Sequence, residues 1–259
     1  MSKQAQNKSA EQSPIVPPDY WLDIPRVYRA KRKHLQMLGL LDMKPDGLVV
    51  LDAGCGAGAY SIILAQEGFK VIGVDIVVES INKAKEIVSR QGLSFQPMVG
   101  DIEALSFQDN TFDVVFTGWV LHHFPSLDKV CAELCRVLKP GGRIAIVEPN
   151  EANLAMRFSR FIENLFYSIS LKIGLDTPNR ETHYYGDYLK ELRKGGIKGL
   201  KYSSCFASLP LLLHFRNFAV GVLFRAVVRL RAGLFHLCTK MLPRPLNGQD
   251  LLIVGAKKK

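Results

Sequence analysis

The chain has 259 residues, of which 47% are hydrophobic, and a formal net charge of +10. That is enough apolar material for one large core, or one core with an elaboration. Its five cysteines (Cys55, Cys131, Cys135, Cys205 and Cys238) are odd in number and form no Cys-x-x-Cys pair, so they read as reduced thiols of a cytoplasmic protein, with no disulfide partner and no metal site.

Residues 1–23 open the chain as a polar tail, rich in Gln, Ser and Pro as far as Pro18 and lacking a charged-then-apolar leader; disorder is expected there. From Ile24 to Leu41 apolar residues recur at helical spacing, with Pro25 suited to the first turn. Strands and helices then alternate. The pattern predicts strands at Leu48–Leu51, Lys70–Val74, Ser94–Val99, Asp113–Thr117 and Arg143–Glu148, and helices at Gly58–Gly68, Glu79–Gln91 and Leu127–Leu138. Repeated β-α units imply a parallel sheet covered on both faces, with right-handed crossovers.

Beyond Glu148 the alternation breaks. Asn153–Ile173 reads as a long helix carrying Phe158, Phe161, Phe166 and Tyr167, and Thr177–Asp187 as a polar, aromatic loop. Tyr188–Lys194 is a short predicted helix, followed by strand candidates Lys198–Cys205 and Leu251–Gly255. Three regions result: the tail 1–23, a core with its N-terminal helix at 24–149, and an irregular part at 150–259.

The first strand ends in Val49-Val50-Leu51-Asp52-Ala53-Gly54-Cys55-Gly56-Ala57-Gly58. Glycine there lets the backbone take positive φ and lets a ligand approach the main chain. Gly54-x-Gly56-x-x-Ala59, with Asp75 about 20 residues on, also satisfies a dinucleotide fingerprint, so the turn alone leaves two kinds of cofactor open. Further landmarks follow: Asp75 and Ile76 after the second strand, Gly100-Asp101-Ile102-Glu103 after the third, Phe112-Asp113-Val114-Val115 opening the fourth, and Leu138-Lys139-Pro140-Gly141-Gly142-Arg143 as a turn into the fifth.

In this order and spacing, residues 47–149 resemble the class I S-adenosylmethionine-dependent methyltransferases, especially the small-molecule branch that includes quinone and sterol enzymes. The resemblance implies an α/β fold: a Rossmann-like, doubly wound sheet of seven strands, mostly parallel with an antiparallel last strand, and a helical C-terminal elaboration. It implies S-adenosylmethionine as methyl donor. Gly54, Cys55, Gly56 and Gly58 would pack on its methionine portion, and Asp52 would help position the amino end. Asp75, followed by Ile76, would accept the ribose hydroxyls. Asp101 would take the adenine amino group while Ile102 packs on the ring, and Thr117, Gly118 and Trp119 would line the sulfonium. Either aspartate could equally be a cap or turn residue. His122 and His123 follow the fourth strand, where such sheets face their ligands. His123 is the first choice for a general base, the resemblance favouring a histidine there, and His122 is the second. Thr117-Gly118-Trp119-Val120 departs from the Asn/Asp-Pro-Pro-Tyr/Phe turn of enzymes that methylate exocyclic or amide nitrogens. His183, Tyr184 and Tyr185 make a second polar cluster, as ready to be an ordinary surface loop as an acceptor contact.

Charge adds a direction. Residues 1–150 carry 16 Lys/Arg against 17 Asp/Glu, and residues 151–259 carry 18 against 7. Such excess predicts an anionic partner. The segment Phe206–Leu242 holds Arg216, Arg225, Arg229, Arg231 and Lys240 and no acid. At helical spacing Arg225, Arg229, His236 and Lys240 share one face, opposite Leu223, Val227, Leu230, Leu234 and Leu237. Such a helix can lie on an anionic membrane or pack on the protein's own core. A span is not expected, because His214, Arg216 and Asn217 interrupt the best window. The leading expectation is therefore methylation of a lipophilic small molecule: a quinone, polyketide, sterol or lipid-like acceptor. The alternatives are an RNA methyltransferase, disfavoured because aromatic residues are not visibly interleaved with the basic ones, a non-enzymatic membrane assembly factor that binds the same cofactor, and, least of all, a nicotinamide-dependent reductase.

Overall fold

Short apolar strands that alternate with helices can bury both sheet faces only if the helices lie on the two sides. The computed structural model, which describes residues 25–150, 183–205 and 250–259, has that arrangement. In chain order the elements are α1 (Pro25–Met37), β1 (Val49–Ala53), α2 (Ala59–Gln66), β2 (Lys70–Asp75), α3 (Val78–Gln91), β3 (Phe95–Val99), β4 (Phe112–Gly118), α4 (Asp128–Val137), β5 (Leu138–Pro149), α5 (Tyr185–Lys194), β6 (Ile197–Cys205) and β7 (Asp250–Lys257). The seven strands form one sheet in the order β3-β2-β1-β4-β5-β7-β6. The first five pair in parallel, and β7 runs antiparallel between β5 and β6. The tail 1–23, the helix expected at 153–173, the loop as far as residue 182 and the basic segment at 206–242 lie outside the described residues.

Successive strand residues feed opposite layers. Leu51 and Val115 join a cluster with α4 and α5, while Val50 and Val114 join one with α1, α2 and α3. Helix α2 is buried from Tyr60 through Ala65, which explains an apolar sequence with no polar stripe. α1 lies over it, held by Arg32 to Glu67 at 2.6 Å and Tyr28 to Gln66 at 3.1 Å. α1 ends at Met37, short of the expected Leu41, with Gly39 at φ 68° in the turn that follows. Leu38 and Leu40 stay buried beyond the helix.

The fifth strand departs from expectation. Leu138–Gly142 is no turn before the strand but part of it. Leu138 pairs with Phe112 and Arg143 with Val114, so the intervening residues bulge out of the ladder. Gly141 takes φ 80°, and a Cβ on Gly142 would stand 2.8 Å from the Lys139 carbonyl oxygen and 2.9 Å from that of Asp113. Two glycines are thus what let the bulge close. Helix α5 begins three residues earlier than its apolar pattern indicated, because Asp187 accepts the Tyr184 N–H at 2.8 Å and caps the turn.

Helix α4 runs straight into β5 without a capping loop, so its last carbonyls need a donor from elsewhere. The N–H groups of Asn110 and Thr111 meet the carbonyls of Arg136 and Val137, and Lys257 of β7 meets others: Nζ donates to the carbonyls of Cys135 and Leu138 at 2.8 Å each, and to Asn110 Oδ1 at 2.9 Å. Replacing this lysine leaves those acceptors without a charged donor. Lys257→Met is expected to cost about 2 kcal/mol of stability, measured by denaturant unfolding.

Candidate functional site

The C-terminal ends of β1, β2, β4 and β5 lie side by side, and their outgoing loops make the site. The glycine turn after β1 is tied to the end of β2. Gly54 and Cys55 donate to the Val74 carbonyl at 2.7 and 3.1 Å, and Gly56 donates to Asp75 Oδ2 at 2.7 Å. Asp75 Oδ1 takes the Val77 N–H at 2.9 Å. Asp75 therefore closes its own turn and holds the glycine loop. Burial raises its carboxyl above the usual range, against the pull of those N–H donors.

Gly54, Gly56 and Gly58 all take positive φ. A Cβ on Gly54 would meet Val120 at 2.4 Å and one on Gly58 would meet Phe95 at 2.5 Å. Gly56 differs: nothing lies within 4 Å of its Cβ position, so this glycine keeps one side of the loop open for close approach. Cys55 is buried and its thiol is pushed well up by desolvation, which makes it packing rather than a nucleophile.

Asp52, at the end of β1, is buried and accepts a 2.6 Å bond from Ser61 Oγ. Burial pushes its carboxyl up to about 7; the Ser61 bond and the Lys31 charge oppose the shift. Lys31, whose Nζ stands 3.9 Å from the Tyr60 ring centroid, is itself lowered to about 8 by burial, with Asp52 and Asp250 pulling the other way. Asp101 Oδ1 accepts the Glu103 N–H at 2.9 Å, an Asx turn. Ile102 is buried in the core with Val74 and Leu105. The exposed apolar surface at this corner belongs instead to Ile76, Val78 and Val99, which are 43%, 48% and 51% exposed.

After β4 the chain turns sharply, with Trp119 at φ 64°. Glu148, the penultimate residue of β5, makes the turn possible. It is fully buried; Oε1 accepts the N–H groups of Val120 and Leu121 at 2.8 Å each, and Oε2 lies 2.7 Å from His122 Nδ1. With Glu148 as acceptor, the His122 proton belongs on Nδ1, leaving a lone pair on Nε2. His123 is exposed, its ring centroid 4.1 Å from that of His122. The buried His122 thus holds a carboxylate partner. Thr117 Oγ1 is buried with no hydrogen-bond partner among the described residues, and Gly118 is packed against the Tyr60 and Phe116 rings. His183 donates to the Phe124 carbonyl at 2.7 Å and Tyr185 stacks on Tyr202, so that cluster is tied into the fold.

Glu148 went unread in the sequence. The signal was present, since it is one more acid closing a buried strand run, like Asp52, Asp75 and Asp101. A second group, His34 and Asp250, is paired at 3.2 Å and almost wholly buried; 216 residues separate the two, and no spacing rule joins them.

A profile of the family described as "Methyltransferase domain" matches residues 44–185. The chain belongs to that methyltransferase-domain family. Among relatives of this methyltransferase-domain chain, the S-adenosyl-L-methionine-dependent Diels-Alderase iccD of Talaromyces variabilis is 32% identical over 190 residues, 70% of this chain and 63% of that protein. The 2-methyl-6-phytyl-1,4-hydroquinone methyltransferase of Synechocystis sp. is 40% identical over 114 residues, 44% of this chain and 36% of the other. The match thus spans less than two thirds of either relative. In fold, the chain is similar to phosphoethanolamine N-methyltransferase 2 of Haemonchus contortus, solved in complex with S-adenosyl-L-methionine, with TM-score 0.64 at 18% identity over 88% of this chain and 53% of that one.

The Asp52 carboxyl predicts a pH dependence. Held up to about 7, it keeps its proton in the native state where an unfolded chain has lost it. The native state therefore binds more protons between the usual carboxylate range and about 7, and stability falls as pH rises through that window. Lys31 acts only above about 8. Asp52→Asn should flatten the fall in thermal midpoint between pH 5 and pH 7; an unchanged slope would show that Asp52 does not cause it.

Proposed function

We propose that this chain transfers a methyl group from S-adenosylmethionine to a lipophilic small-molecule acceptor: a quinone, polyketide, sterol or lipid-like compound. The observation that carries the reading is the glycine loop held by Asp75, with Gly56 open to close approach, after a strand that ends with the buried carboxyl of Asp52. These residues suit the cofactor chemically. A carboxyl held up to about 7 by burial gains a partner when an ammonium approaches it. The helix α2 N-terminus favours a carboxylate. Asp75 has lone pairs left for ribose hydroxyls, Asp101 accepts from an adenine amino group, and Ile76 and Val99 offer an apolar face to the ring. The unpartnered Thr117 hydroxyl, with Gly118 and Trp119, belongs to the reacting end.

When bound, the cofactor supplies a methyl carbon on a positively charged sulfur, with a neutral thioether as leaving group. The protein must align the acceptor in line and exclude water. Where the acceptor is a hydroxyl or an acidic carbon, His122 Nε2 takes its proton, and Glu148 steadies the imidazolium through Nδ1. Glu148 is a positioning residue, because the same carboxylate clamps the backbone of Val120 and Leu121. Support for a lipophilic acceptor comes from the Synechocystis relative, whose name specifies a prenylated hydroquinone. We read residues 150–259 as an acceptor-side cap, a basic insert and the closing strands of the sheet, beyond the cofactor-binding core at 24–149, residues 1–23 as a tail, and the location as cytoplasmic with contact to an anionic membrane through Phe206–Leu242. Among the described residues no helix is long and apolar enough to cross a membrane.

The test is transfer of label from methyl-labelled S-adenosylmethionine to a prenylated hydroquinone and to lipid extracts, with RNA as a further acceptor. Label in the lipophilic fraction is expected, falling about 100-fold or more in His122→Asn and within about threefold of wild type in His123→Ala. Loss in His123→Ala with retention in His122→Asn would assign the base to His123. A second reading rests on the Diels-Alderase relative: an acceptor that is cyclised, with no label transferred and no S-adenosylhomocysteine formed, would establish it. For the membrane contact, sedimentation with anionic liposomes should be lost when Arg225, Arg229 and Lys240 are all changed to Glu; unchanged sedimentation would refute it.

A further inference from the structure

One buried polar cluster takes no part in the chemistry above. His34 of α1, Cys205 at the last position of β6 and Asp250 at the first position of β7 are 1%, 5% and 0% exposed. Their ligand-type atoms (an imidazole nitrogen, the thiol sulfur and a carboxylate oxygen) all lie within 4.8 Å of one another. Cys205 and Asp250 are register partners across the β6–β7 ladder. His34 Nε2 stands 3.2 Å from Asp250 Oδ2, and its Nδ1 stands 2.8 Å from the Tyr60 hydroxyl.

We propose that His34, Cys205 and Asp250 form a structural zinc site that clasps the two stems of segment 206–249 to helix α1. The donor set is one that zinc prefers, with nitrogen, thiolate sulfur and carboxylate oxygen together. Tetrahedral bonds of about 2.0–2.3 Å place donors roughly 3.5 Å apart, so the observed spread needs only a contraction of about 1 Å at its widest. Charge supports the ion: a divalent cation with one thiolate, one carboxylate and a neutral imidazole is electroneutral, which a site this deep requires. Binding releases the Cys205 proton to solvent. Tyr60 acts as the outer partner that metal-bound histidines usually have. By accepting from Nδ1–H it leaves Nε2 as the coordinating atom. Among the described residues the charges that reach the cluster include the ammonium of Lys31, which acts on both Asp52 and Asp250, and the carboxyls of Asp52 and Glu148, which act on Tyr60; with zinc on Asp250, Lys31 remains with Asp52. Water fills the fourth position. The ligands are 171 and 45 residues apart in the chain, so the site has no sequence signature. It does not depend on the methyl-transfer reading.

The test uses the full chain with any affinity tag removed. Purified without chelator, it should carry close to one zinc per chain by elemental analysis. Stripped and reloaded with cobalt(II), it should show a thiolate-to-cobalt charge-transfer band in the near ultraviolet that saturates at one equivalent. Cys205→Ser should abolish the band. His34→Gln and Asp250→Asn should weaken metal affinity at least 100-fold, whereas Cys131→Ser should keep both band and affinity. Each variant is checked for a native circular dichroism spectrum. A band that survives in Cys205→Ser overturns the proposal, as does wild-type protein that takes up less than a tenth of an equivalent of zinc or cobalt. Should Cys205→Ser fail to fold, His34→Gln decides: unchanged affinity there overturns the site.

Discussion

The carboxylate of Asp75 holds the site together. Each of its oxygens accepts a backbone N–H, one from Gly56 in the turn after β1 and one from Val77 in the turn after β2. A glycine turn with three positive-φ residues has many conformations in isolation, and glycine loses more chain entropy on ordering than any other residue. Two bonds to Val74 and one to Asp75 select a single loop shape. The packing limits at Gly54 and Gly58, against Val120 and Phe95, then keep that shape. Everything assigned to the cofactor side rests on a loop that β2 holds in place.

A second constraint is electrostatic. The C-terminal edge of the sheet and the β7 residue beside it gather Asp52, Glu148 and Asp250, all but wholly buried. Buried carboxylates are costly unless hydrogen-bonded or paired, and each is met differently. Glu148 is satisfied by two backbone N–H groups and His122, so it serves as a clamp. Asp52 has Ser61 and the partial help of Lys31, too little to offset burial, so its carboxyl is held up to about 7. Asp250 faces His34. The under-compensated acid, Asp52, stands at the end of the strand that leads into the glycine loop. The fully compensated acid shapes the turn that carries the histidines.

Much of this was legible in the chain. The β-α alternation and the glycine turn with its strand-end acids follow from local patterns, and the family match covers the same stretch. What was misread has local physical causes. Leu138–Gly142 has the composition of a turn, yet the ladder to β4 resumes at Arg143 and absorbs it as a bulge. The structure also adds what the pattern did not carry: Ile102 packs in the core, and the exposed apolar corner is formed by Ile76 and Val99. His122 and His123 are adjacent in sequence, and the resemblance placed His123 first as the base. The short helical turn that follows Trp119 buries one and exposes the other.

By itself, the sequence determined the fold class, the cofactor-type turn and the positions of its acids, because each depends on residues within one β-α unit. The tertiary structure decided which histidine has a carboxylate behind it, which acid remains undercompensated, and that His34, Cys205 and Asp250 meet. Those outcomes depend on pairings across 26, 171 and 216 positions of chain. Only the closing of the sheet, with β7 threaded between β5 and β6 and α1 laid over α2, brings such residues within bonding distance.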